Sequence, residues 1–172
     1  MKLIQLMILF SFLSCFAQKK LKIETIISKT TTVTRVNPET GKQYTTSKFV
    51  EVTERFHPSI NIKTEENNAL SILLEGNITS AGLSCNRIKK IRYVKGKPLG
   101  DTITLKYYVE IKNIPGKESA GVNGYNYRKL ISYKIPKDIK VVKVELYEDR
   151  ISLKQNSKIP KIKLVAEDIF KK

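Results

Sequence analysis

The sequence predicts an all-β protein, a single antiparallel β-sandwich of about ten short strands. Three observations carry this. Thr, Ile, Val and Tyr, the residues that suit a pleated and half-buried surface, dominate the segments after residue 20. Apolar and polar residues alternate with period two in short runs. Turn residues separate those runs at regular spacing, and no stretch holds the 3.6-residue period of an amphipathic helix over three turns. One-sided alternation suits two sheets packed face to face, so a sandwich is expected rather than a barrel.

The elements follow in order. "LKIETIISKTTTVTRV" (21–36) is a long β-prone run, "NPETGK" (37–42) reverses the chain, and "YTTSKFVEVTERF" (44–56) returns. Residues 21–56 therefore predict a long hairpin with one face against the core. "SINIK" (59–63), the turn "TEENN" (64–68) and "ALSILLEG" (69–76) predict a second hairpin. "NRIKKIRYVK" (86–95) and "DTITLKYYVEIKN" (101–113) flank "GKPLG" and predict a third. In 101–113, Ile103, Leu105, Tyr107, Val109 and Ile111 share one face, the pattern of a strand buried on one side. A glycine-rich loop (114–124) is the longest irregular segment and the one expected to move most. Strands are then expected over 125–135, 139–148, 150–154 and 161–170.

Residues 1–17 have the organisation of a secretory signal peptide. Lys2 precedes an apolar run from Leu3 to Phe16, with Cys15 and Ala17 at the two small positions before a cut at Ala17/Gln18. The run is too short to span a bilayer as a helix. A second reading stays open: Leu13-Ser14-Cys15 resembles the end of a bacterial lipobox, which implies lipidation of Cys15 and a membrane tether. The "FAQ" ending followed by lysines is similar to leaders of exported Bacteroidota proteins. The expected location is thus exported, in the periplasm or outside the cell, with a membrane-anchored lipoprotein as the alternative. Residues 18–172 form one expected domain, large enough for a real core.

The 172-residue chain has 32 Lys and Arg against 16 Asp and Glu, a formal charge of +16. Such a balance favours anionic partners. For an exported protein these are another envelope protein or an acidic envelope component, not nucleic acid. The densest basic run, "GLSCNRIKKIRYVKGK" (82–97), holds Arg87, Lys89, Lys90, Arg92, Lys95 and Lys97 with no acid among them. As a regular strand it puts Arg87, Lys89, Ile91 and Tyr93 on one face and Ile88, Lys90, Arg92 and Val94 on the other. Basic residues on both faces suit an edge strand, where lysine also blocks edge-to-edge aggregation. These six residues are the candidate site for an anionic partner. Tyr93, Tyr107 and Tyr108 would offer stacking platforms to a single strand of nucleic acid, but export argues against that partner.

Catalytic constellations are poorly served. Cys85 has three readings: a buried small hydrophobe, a thiol activated by Arg87 and Lys89, or a disulfide partner of another protein. The chain has one histidine, His57, in "RFHPS". No G-x-S-x-G turn, phosphate-binding loop or metal-ligand spacing occurs. No cofactor or metal is expected. "NGYNY" (123–127) resembles the tyrosine-corner region of immunoglobulin-like folds, with Tyr125 in the corner role. The resemblance implies architecture only, since the chain has no tryptophan and no cysteine pair beyond the leader.

The expected function is a non-catalytic binding or interaction module of the cell envelope with a basic surface. One alternative is a small secreted hydrolase using His57. Another is a structural subunit of a surface assembly, joined by strand addition through the 21–56 hairpin.

Overall fold

The computed structural model describes residues 20–151 and 161–172, so the 1–17 leader and Cys15 lie outside the described residues. Among those described, nine strands form two sheets: β1 (Lys22–Val36), β2 (Gln43–Glu51), β3 (Ser59–Glu65), β4 (Ala69–Thr79), β5 (Asn86–Lys95), β6 (Thr102–Asn113), β7 (Val122–Lys134), β8 (Val141–Ile151) and β9 (Lys161–Lys171). One sheet has the order β2-β1-β7-β4-β3 and the other β5-β6-β8-β9. This is the expected β-sandwich. No helix among the described residues is long and apolar enough to cross a membrane.

The three predicted hairpins pair as β1–β2, β3–β4 and β5–β6. Each reversal is local, made where turn residues interrupt a period-two run. In the first turn the Asn37 side chain accepts hydrogen bonds from the Glu39 and Thr40 amides. After β6 the chain crosses to the other sheet as β7 and then crosses back. Its return places β8 beside β6 in parallel, the one parallel pair among the described strands. The segment around 150–154 does not begin a separate strand at Arg150, because β8 runs on through Ile151; residues 152–160 lie outside the described ones.

The core lies between the sheets. Leu70, Ile72, Leu74 and Ile78 of β4 meet Ile103, Leu105, Val109 and Ile111 of β6 and Val142, Val144 and Leu146 of β8. All are at most 1% exposed. Fully burying each such side chain contributes about 1.5–3 kcal/mol. The alternation predicted for β6 is therefore realised: its odd-numbered residues from 103 to 111 face inward.

Tyr127 is the largest fully buried side chain and lies over Gly76, where a Cβ would come within 2.4 Å of the phenol oxygen. That oxygen has no hydrogen-bond partner among the described residues. Leaving a buried hydroxyl unpaired costs more than removing it. Tyr127→Phe should therefore raise unfolding stability by up to about 1 kcal/mol, read as a higher urea midpoint. A lower midpoint would show that the hydroxyl is bonded in solution.

The first hairpin differs from expectation. β1 pairs with β7 only over Lys22–Ile27, and a register shift between Ile26 and Ile27 turns it away. Beyond that point β1 and β2 run together as a two-stranded arm, from Ser28↔Glu51 to Val36↔Gln43. Only Ile26 of β1 is buried, and it is not part of the main core cluster. The physical reason lies in the residues: Thr-rich β1 and β2 lack an apolar row long enough to bury.

Candidate functional site

The basic run 87–97 forms β5, at the edge of its sheet as expected, but a bulge reorders its faces. The register slips between Ile88 and Lys90, leaving Lys89 as the extra residue. Ile88 then pairs with Ile111, Ile91 with Val109 and Tyr93 with Tyr107, all on the core side. The two-sided distribution expected of a regular strand is thereby corrected. Lys90 and Arg92 fall together over Glu110 on the outer face, while Arg87 reaches Ser80, Glu118 and the ring of Tyr125 on the other sheet. The signal was present in the sequence: two isoleucines three apart cannot share a face in a strand without a bulge.

Four of the six predicted site residues make ion pairs. The carboxylate of Glu110 lies 4.0 Å from Lys89 Nζ, 3.7 Å from Lys90 Nζ and 3.2 Å from Arg92 Nε. Arg92 also reaches Asp149 at 3.5 Å and lies 4.2 Å from the centre of the Tyr108 ring. Tyr108 in turn stacks on Tyr147 at 4.9 Å. Arg87 holds Glu118 with both guanidinium nitrogens. Three cations thus share Glu110, and only Arg92 reaches a second acid, so this face is partly compensated and keeps an excess of positive charge on the exposed Lys89 and Lys90. Lys97 sits in the exposed turn after β5 and makes no ion pair among the described residues.

Glu118 also explains the 114–124 loop. Its side chain is 1% exposed. It accepts hydrogen bonds from Arg87, the Ser80 hydroxyl, the Ser119 amide and, at 3.3 Å, the Tyr125 hydroxyl. The Arg87 bond, opposed by burial and assisted by Ser80 and Ser119, holds the carboxyl down at about 2. Backbone bonds from Ile114 N to Cys85 O and from Glu118 N to Gly82 O fasten the same loop. Val122 to Gly124 already belong to β7. The irregular part is therefore shorter than expected and is tied to β5. Tyr125 does bond upstream as a corner tyrosine would, but to a side chain and not to the backbone.

Cys85 is buried and unpaired, with 7% exposure. His57 is exposed, and no hydrogen bond joins it to a nucleophile or an acid among the described residues. No cluster of three potential metal-ligating side chains occurs among the described residues.

The sixth predicted residue, Lys95, leads to a different site. It lines a pocket of about 280 Å³ between β5, β6 and β7. Three tyrosines (Tyr93, Tyr107, Tyr133) and three lysines (Lys95, Lys129, Lys134) line it with Ile131 and Ser132, and no carboxylate does. Tyr93 and Tyr107 stack at 5.2 Å, and the Lys95 amine stands 5.9 Å from the centre of the Tyr133 ring. Lys129 pairs with Leu74 in register, so it shares the inward face of β7 with Tyr127 and Ile131. Burial alone lowers its pKa, with no acid to compensate.

Burial, with Tyr133 nearby, pushes the Tyr93 phenol up to about 12. Burial raises Tyr107 and Tyr133 as well. All three phenols therefore stay protonated at neutral pH and can donate hydrogen bonds. The Tyr133 hydroxyl is buried without a partner among the described residues. Every titratable group on the wall is a neutral donor or a cation. Such a lining complements an anion attached to an apolar or aromatic body. No protein-family profile, curated protein or solved structure matches this chain.

Sequence reasoning missed Lys129. The signal was its place in "YRKLISYK", two residues from Tyr127 and two from Ile131. A lysine on the apolar face of a central strand is costly unless something uses it.

Proposed function

We propose that the chain is a non-catalytic binding module of the cell envelope that captures an anionic ligand in the Lys129 pocket. The ligand class is a carboxylate or phosphate monoester carried on an apolar or aromatic group. The observation that carries this reading is Lys129, a cation on the inner face of a sandwich with no carboxylate in its pocket. The proposal keeps Lys95 from the basic run and exchanges the ion-paired residues of β5 for the cations that lack acids. The leader, with cleavage after Ala17 or lipidation of Cys15, supports an envelope location and thus an envelope ligand.

A bound anion would return to Lys129 the partner that burial denies it. Lys129→Met should consequently have opposite effects on binding and stability. Titration calorimetry with octanoate and with phenyl phosphate should show binding to the native chain and at least a tenfold loss in the variant. The same variant should melt higher, by about 2–4 °C for each kcal/mol of relieved desolvation. The sign in pH agrees. A lysine whose folded pKa lies below its unfolded value of about 10.5 destabilises the fold at neutral pH. That penalty fades as pH rises through the interval between the two values, so the gap between native chain and variant should narrow in alkali. Unchanged affinity for both probes, or the absence of binding by the native chain, would overturn the reading.

A further inference from the structure

The β1–β2 arm carries a second unneutralised basic surface, set apart from the pocket. Its register sorts the side chains into two faces. One bears Ser28, Thr30, Thr32 and Thr34 opposite Thr45, Ser47, Phe49 and Glu51, mostly hydroxyls. The other bears Lys29, Arg35 and Lys48, with Val50 opposite Lys29, Tyr44 opposite Arg35, and no acid at all. All five of these residues are exposed, and the three cations make no ion pair among the described residues. Glu39 is in the turn, and Glu51, on the opposite face, is held by Arg55.

Two-stranded ribbons are marginal in water by themselves. This one extends eight residue pairs past Ser28, the last residue bonded to the sandwich, about 26 Å at the usual strand rise. Its basic face is narrow, shallow and spread along that length. A concave partner would need a groove to match it, whereas a lipid surface presents a continuous sheet of anionic headgroups and needs none. Tyr44 and Val50 supply the amphipathic and apolar contacts that lie well at the headgroup level. The overall charge of +16 adds attraction at long range.

We infer that the Lys29–Arg35–Lys48 face of the arm docks on an anionic lipid bilayer. Each basic residue near such a surface strengthens binding about 5-fold, and three together about 100-fold. Docking would hold the pocket close to the membrane without inserting any strand.

The test is sedimentation with vesicles. The purified chain starts at Gln18 in every variant, so that neither the apolar leader nor an acyl group contributes. Vesicles are phosphatidylcholine alone or with a quarter phosphatidylglycerol. Binding is expected to the anionic vesicles only and should weaken as salt is raised. The triple variant Lys29→Gln, Arg35→Gln, Lys48→Gln should lose on the order of 100-fold in affinity. A control with the same charge loss, Lys63→Gln, Lys117→Gln, Lys137→Gln, should lose no more than about 3-fold through the weaker overall field. Circular dichroism checks that both variants keep their strands. Equal losses in the two triples, no uptake by anionic vesicles at low salt, or recovery of the chain only in assemblies of its own kind would each overturn the inference.

Discussion

Gly124→Ala is expected to be the most damaging small substitution in the molecule. Gly124 has φ +155°, a conformation that side-chain-bearing residues rarely adopt, and it lies in the central strand β7. A Cβ there would stand 2.1 Å from the Ile78 carbonyl oxygen and 3.2 Å from Thr79 Cα. Both obstacles are backbone, and β7 is locked to β4 in continuous register from Ala69↔Lys134 to Thr79↔Gly124. Relief would require the strands to part. Overpacking costs about 1–3 kcal/mol and the strained backbone about 1–2 more. The sum, about 2–5 kcal/mol, is a large share of the 5–15 kcal/mol that holds a typical domain together. Gly41→Ala is the control. It has φ +68°, but no atom lies within 4 Å of the added carbon, so only the backbone part should appear. Thermal melts should show the Gly124 variant falling about 5–15 °C and Gly41→Ala a little under half of that. Equal shifts would mean that the close approach to Ile78 does not exist in solution.

Arg87→Met is the second. It strips Glu118 of its strongest partner while leaving the carboxylate 1% exposed. Breaking a fully buried pair costs about 3–5 kcal/mol, and breaking a surface pair no more than about 1. Arg87 itself is 37% exposed, so solvent screening brings the expected loss to about 2–3 kcal/mol at neutral pH. The pH dependence identifies the cause. In the native chain the Glu118 carboxyl is held at about 2, below its unfolded value of about 4.5. Its contribution is complete above the unfolded value and lost as pH falls through about 2. Without Arg87, burial becomes the largest influence, against the bonds from Ser80 and Ser119, and the folded pKa rises. The destabilisation should therefore be smaller near pH 3 than near pH 7, because protonation removes the stranded charge. Urea titrations at the two pH values measure it. A loss independent of pH would mean that Arg87 acts by packing on Tyr125, 4.6 Å from its guanidinium carbon. The 114–121 loop should also gain protease sensitivity, since Glu118 is its anchor.

The two residues show how far the sequence could be read. Arg87 stood out as part of a basic run, yet its acid is 31 residues away, in a loop whose composition suggested mobility. Nothing local marks Glu118 as buried. The same holds for Glu110, which collects Lys89, Lys90 and Arg92 only because β5 bulges at Lys89 and brings them over one carboxylate. Counting charges along a run therefore missed the acids that fold against it. The cations without acids were harder to see because they are scattered. Lys129 is 34 residues beyond Lys95 in the sequence, and both line one pocket.

What the sequence determined by itself was local. Period two along 101–113 and turn residues at 37–42, 64–68 and 96–100 specified the hairpins, because side-chain alternation and chain reversal depend on neighbours a few residues apart. The tertiary structure alone decided the rest. It paired β6 with β8 in parallel by sending β7 through the opposite sheet. It turned β1 out of the sandwich at Ile27, where Thr-rich strands had no apolar row to bury. It brought acids to one set of cations and left another facing a pocket or open water. Each of these depends on burial and charge pairing between distant segments, and such energies exist only once the two sheets have met.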